Sequence, residues 1–63
     1  MRRFANSDEV FEAGYAMLLY DITDRHSTFR YKDRDIRVDG RPRTEEVICG
    51  DYAVPVVPIE SIR

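Results

Sequence analysis

The sequence predicts an α+β domain in which an N-terminal helix packs on an antiparallel meander of three or four strands. Three observations point there. A capping pattern at Asn6 precedes apolar residues at helical spacing. From Ser27 onward, short alternating runs are broken by turn dipeptides. No repeat, low-complexity segment or linker-like stretch interrupts the chain, so residues 1–63 read as a single domain.

The helix comes first. Asn6 can act as N-cap, with Glu9 reaching back as its capping-box partner. Asp8, Glu9 and Glu12 suit the positive end of a helix dipole. Val10, Phe11, Ala13, Gly14, Met17 and Leu18 then fall at i, i+1, i+3, i+4, i+7 and i+8, one buried helical face. Gly14 opposes this reading, because glycine costs a helix interior about 1 kcal/mol relative to alanine.

The alternative for Tyr15 to Thr23 is a strand buried on both faces. Ala16, Leu18, Tyr20 and Ile22 would lie on one side, and Tyr15, Met17 and Leu19 on the other. Gly14 would then end a short helix. Five short strands and a closing helical turn would make a small SH3-like β-barrel, an analogy of shape alone. The helix is the leading reading.

The strands follow in order. Thr28 to Lys32 alternates apolar with basic residues, as a strand with one buried face should. Ile36-Arg37-Val38 resumes the alternation in the opposite parity, which requires a turn or bulge in Asp33-Arg34-Asp35. Asp39-Gly40 is a turn dipeptide, and Pro42 keeps Arg41 out of helical geometry. Glu45 to Cys49 reads as a third strand, stopped at Gly50-Asp51. Tyr52 to Val57 reads as a fourth, which Pro55 assigns to an edge or a bulge. Pro58 to Ile62 fits a last helical turn. The expected core is Val10, Phe11, Met17, Leu18, Phe29, Ile36, Val38, Val47, Ile48, Val54 and Val56.

A chain of 63 residues buries only about 60% of its unfolded surface and needs reinforcement. Cys49 is the only cysteine, which rules out an internal disulfide and a CxxC zinc site. An efficient core or a partner remains, and a chain this short favours a partner or a second copy in a homodimer. Arg2 and Arg3 are followed by no apolar run of the kind a secretory signal or a membrane span needs. A cytoplasmic location without membrane partners is therefore expected, and the initial methionine suits a complete small gene product.

Several residue groups resemble chemistry without its geometry. Asp24, His26 and Ser27 have the types of a hydrolase triad, but neighbours in one turn do not readily form one. Asp33, Asp35 and Asp39 suggest a calcium loop, yet Arg37 and Val38 stand where a ligand and a glycine are required. Cys49 sits among acidic neighbours that disfavour a thiolate, and reads as core. The three glycines form no nucleotide fingerprint, and Pro55-Val56-Val57-Pro58 lacks the arginine that orients a PxxP ligand. An enzyme is not expected; no catalytic, metal-binding or cofactor-binding residues are assigned, and no cofactor.

Two surfaces remain. Residues 1–24 carry a net charge of −3, residues 25–43 carry +4, and residues 44–63 carry −3. In the basic stretch, Phe29 and Tyr31 alternate with Arg30 and Lys32, a composition that could stack bases and neutralise phosphates. Arg30, Lys32, Arg34, Arg37, Arg41 and Arg43 would bind nucleic acid from that hairpin, 25–43. Against this, alternation points Phe29 and Tyr31 inward. The other surface is apolar surplus: Tyr15 and Leu19 off the main helical face, Tyr20 beside them, and Tyr52 and Val57 on the uncharged last strand. These five are the expected protein-binding residues. The leading expectation is a small non-catalytic binding protein, an inhibitor, adaptor or accessory factor such as a phage or other mobile element encodes. Nucleic-acid binding is the alternative.

Overall fold

The computed structural model describes every residue except 24, and every side chain except those of residues 20–24. Among the described residues the chain is mostly sheet, with one short helix. Strand β1 (Arg3–Phe4) leads into helix α1 (Ser7–Glu12). Then come β2 (Tyr15–Thr23), β3 (His26–Tyr31), β4 (Arg34–Asp39), β5 (Glu45–Cys49), β6 (Tyr52–Pro58) and a 3₁₀ turn at Ile59–Ser61. The strands form one mixed sheet in the order β1-β5-β6-β2-β3-β4. Among the described residues only β1 on β5 is parallel.

The helix starts where its cap is written. Asn6 is extended and its Oδ1 accepts from the Glu9 amide at 3.1 Å, while Glu9 Oε1 accepts from the Ala5 amide at 3.2 Å. It does not continue to Leu18. Ala13 is the C-cap, and Gly14 turns to φ +92°, outside the right-handed helical region. The Gly14 amide donates to Phe11 O at 2.9 Å and its carbonyl accepts from the Ile59 amide at 2.8 Å. These bonds commit the next residues to the sheet. Tyr15, Ala16 and Met17 pair with Pro58, Val57 and Val56. The expected long helix is thus replaced by a strand, and the three- or four-stranded meander by six strands. Only β2-β3-β4 and the β5-β6 hairpin keep the simple antiparallel succession.

Burial on both faces explains the change. Ala16 and Leu18 point to an inner face with Phe29, Tyr31, Ile36, Val38, Val57, Ile59 and Ile62. Tyr15 and Met17 point to an outer face with Val47, Val54, Val56 and Cys49, covered by Val10 of α1 and Phe4 of β1. A helix would bury one stripe of this segment, whereas a strand uses both sides. Phe11 reaches the end of β3, where its ring meets Tyr31 edge-on at a centroid distance of 5.8 Å. Of the expected core, Val10, Phe11, Phe29, Val47 and Val56 are buried, and the other six are partly so.

The sheet is curled. By register, Glu45 on β5 lies level with Val56, Met17, Arg30 and Asp35. Four strand spacings across and four residues back along β4 would separate Asp39 from Glu45 by roughly 23 Å in a flat sheet. The six virtual bonds between them reach only about 20–22 Å at full stretch. Register shifts in β2 on either side of Tyr20 supply the bend. The crossover 40–44 then passes over the inner face, bringing Pro42 and Thr44 beside Leu18 and Phe29. The barrel alternative shares the β2 strand and the final turn, but this sheet is open, with β1 and β4 at its edges.

Pro55 lies in an interior strand, so of the edge and the bulge expected for it the edge does not hold. Ile59 donates toward β2 through Gly14, so strand alternation puts the nitrogens of Val57 and Pro55 on the β2 side as well. The β2–β6 ladder ends at Met17 with Val56, one residue before a donor would be missing. Proline thus sits where β2 leaves β6.

Candidate protein-contact surface

Two of the exposed apolar side chains, Leu19 and Tyr52, lie on one face of the sheet. Among the described residues, the large hydrophobic side chains left exposed are Met1, Leu19 at 44% and Tyr52 at 74%. Leu19 follows Tyr15 and Met17 on the outer face by alternation, and Tyr52 shares that face with Val54 and Val56. Helix α1 covers the Tyr15–Met17 end of this face and leaves the Leu19–Tyr52 end open. This is also where β2 and β6 part, so the strand margins beside the patch are not laddered to one another. Strand margins without a mutual ladder, next to apolar side chains, suit strand addition or a protein contact.

The remaining expected contact residues are placed differently. Val57 is 1% exposed and packs on Ala16, Phe29 and Ile59, so it offers no side chain to a partner. Tyr15 is half-buried in the outer cluster, with the Arg2 guanidinium 5.6 Å from its ring centroid. The side chain of Tyr20 lies outside the described residues. Val57 was legible as core from the uninterrupted Val54-Pro55-Val56-Val57 run, which suits a strand buried on both faces.

The basic residues do not form one surface. Arg30 and Arg37 share the outer face of the β3–β4 hairpin, where Arg30 Nε bonds Asp35 Oδ1 at 2.6 Å and Arg37 Nη2 lies 3.4 Å from His26 Nδ1. Lys32 occupies the hairpin turn at φ 57°, its ammonium 5.3 Å from the Tyr31 ring centroid. Arg34 points to the inner face, beside Ile36, Ile59 and Arg63 in a groove of about 300 Å³. Arg41 and Arg43 belong to the crossover beyond the far end of β4. Phe29 is fully buried, so it cannot stack on a base.

The triad-like residues are separated by the strand itself. Ser27 is buried on the inner face, where its hydroxyl donates to Gly40 O at 3.2 Å. His26 points the opposite way, toward Arg37. Asp24 lies outside the described residues. Asp33 is in the hairpin turn, Asp35 is taken by Arg30, and Asp39 ends β4. Cys49 is half-buried against the outer cluster. No helix is long and apolar enough to cross a membrane among the described residues. Compared with protein-family models, curated proteins and solved structures, the chain matches none of them.

Proposed function

We propose that this chain is a non-catalytic protein-binding domain that modulates its partner by occupying a surface, as an inhibitor, adaptor or accessory factor. One observation carries the reading: Leu19 and Tyr52 stand exposed on the same outer face, beside strand margins that have no ladder between them. A chain of this size has little apolar surface to leave uncovered, and tyrosine is among the residues that most often anchor a protein contact. A cytoplasmic setting belongs to the same proposal and suits a single free thiol at Cys49.

The test is capture from the native host with the parent chain and with Leu19→Ser/Tyr52→Ser, followed by mass spectrometry. A protein recovered by the parent and lost by the double variant is the expected result. Stability should change by less than about 0.5 kcal/mol per surface substitution, so loss of capture would report contact and not unfolding. Equal recovery by both chains would remove the patch from consideration. Nucleic acid retained instead, with affinity collapsing as salt rises and on replacing Arg30, Lys32, Arg34 and Arg37 with glutamate, would favour the phosphate-binding reading.

A further inference from the structure

The β4 edge carries a second, separate surface. The two-residue turn Lys32–Asp33 makes Tyr31 and Arg34 the closing hydrogen-bonded pair of the hairpin, so the backbone groups of residues 34, 36 and 38 face β3. Gly40 continues that parity, its amide donating to Arg25 O at 2.6 Å. The amides and carbonyls of Asp35, Arg37 and Asp39 therefore point away from the sheet along an edge strand of six residues. Edges are usually blunted by charges that repel another copy. Here the outward-face charges alternate in sign, Asp35, Arg37, Asp39.

We propose that β4 pairs with β4 of a second copy across a two-fold axis at Ile36, joining two sheets into one. Antiparallel self-pairing about Ile36 sets Asp35 opposite Arg37 of the second copy, and Arg37 opposite its Asp35. Both residues have free outward backbone groups, so each such pair exchanges two main-chain hydrogen bonds. Ile36 meets Ile36 at the axis on the inner face, beside the open groove floored by Tyr31, Ile36 and Ile59. The row Arg30–Asp35 then continues into Arg37 of the second copy on the outer face. Shifting the axis to Arg37 would set that arginine against itself and Asp35 against Asp39. Shifting it to Val38 leaves only residues 37–39 overlapping within the strand. Charge and backbone parity select Ile36.

Sedimentation velocity over a concentration series tests this, with amide exchange read on the same unmodified protein. The parent is expected to pass from 7.4 kDa toward twice that mass as concentration rises. The Asp35 and Arg37 amides, which face no strand of their own chain, should slow about tenfold or more over the same range. Arg37→Asp places aspartate against Asp35 and should weaken association at least about tenfold, while Asp35→Arg combined with Arg37→Asp, and with Arg30→Asp to keep the pair across β3 and β4, restores the pairing in reversed polarity. A parent that stays at 7.4 kDa to ~1 mM overturns the proposal, because a pair weaker than that has no standing as an assembly. A dimer whose Asp35 and Arg37 amides exchange freely, or one unaffected by Arg37→Asp, overturns it equally. Should a variant fail to fold, exchange in the parent decides.

Discussion

Gly14→Ala separates the strand architecture from the helix it displaces, because the two assign opposite signs to one methyl group. In a helix running through residue 14, alanine would stabilise by about 1 kcal/mol. At the observed φ of +92° an L-residue is strained, by about 1–2 kcal/mol if the left-handed penalty applies. The added Cβ meets no atom within 4 Å, so no packing gain or clash alters that figure. The residue is not free to relax, since its amide is bound to Phe11 O and its carbonyl to the Ile59 amide. Restricting the unfolded chain returns only about 0.4–1 kcal/mol. The net is a loss of about 1 kcal/mol, or roughly 4–8 °C in Tm for a domain of this length. Urea and thermal unfolding followed by circular dichroism, at one fixed protein concentration, give the sign directly. Chemical synthesis with D-alanine at 14, which accepts positive φ, should reverse it. An L-alanine variant as stable as the parent would refute the assignment of Gly14 as the joint between helix and strand.

Two further outcomes follow from the same structure. Asn6→Ala removes the acceptor of the Glu9 amide and should lower stability by about 1 kcal/mol in urea titration, with Asn6→Ser largely restoring it. Val57→Ala should cost about 1–3 kcal/mol, from the apolar burial lost and the cavity left, whereas Leu19→Ala should stay within about 0.5 kcal/mol of the parent. Equal costs at 57 and 19 in the same denaturation series would contradict their placement on opposite sides of the surface.

The candidate contact surface was legible only in outline. Leu19 and Tyr52 stand out in the sequence as apolar residues without an obvious cover, and both are exposed. A helix buried on one face leaves Tyr15 outside, and an uncharged last strand read as an edge offers Val57 to a partner. In a curled sheet packed on both faces, Val57 is buried and Tyr15 is half-buried against the outer cluster. The basic stretch has the complementary history. Its cations are contiguous in the chain, but the hairpin and crossover distribute them over two faces and both ends of β4.

What depends on a few neighbouring residues was settled by the sequence itself. Asn6 and Glu9 start the helix, Asp39-Gly40 and Gly50-Asp51 end strands, and alternation from Thr28 to Tyr31 turns Phe29 inward. These choices rest on caps, positive-φ turns and a period of two, all local in range. Residues 15–23 had no such local determinant, since an apolar run open to both faces satisfies a helix or a strand. Pairing with β6 and β3, dozens of residues and one hairpin away, chose the strand. The same long-range pairing buried Val57, put Pro55 where a ladder ends, and left β4 as an open edge with alternating charge. Propensity is decided within a turn of chain, but which face is covered is decided only when distant strands meet.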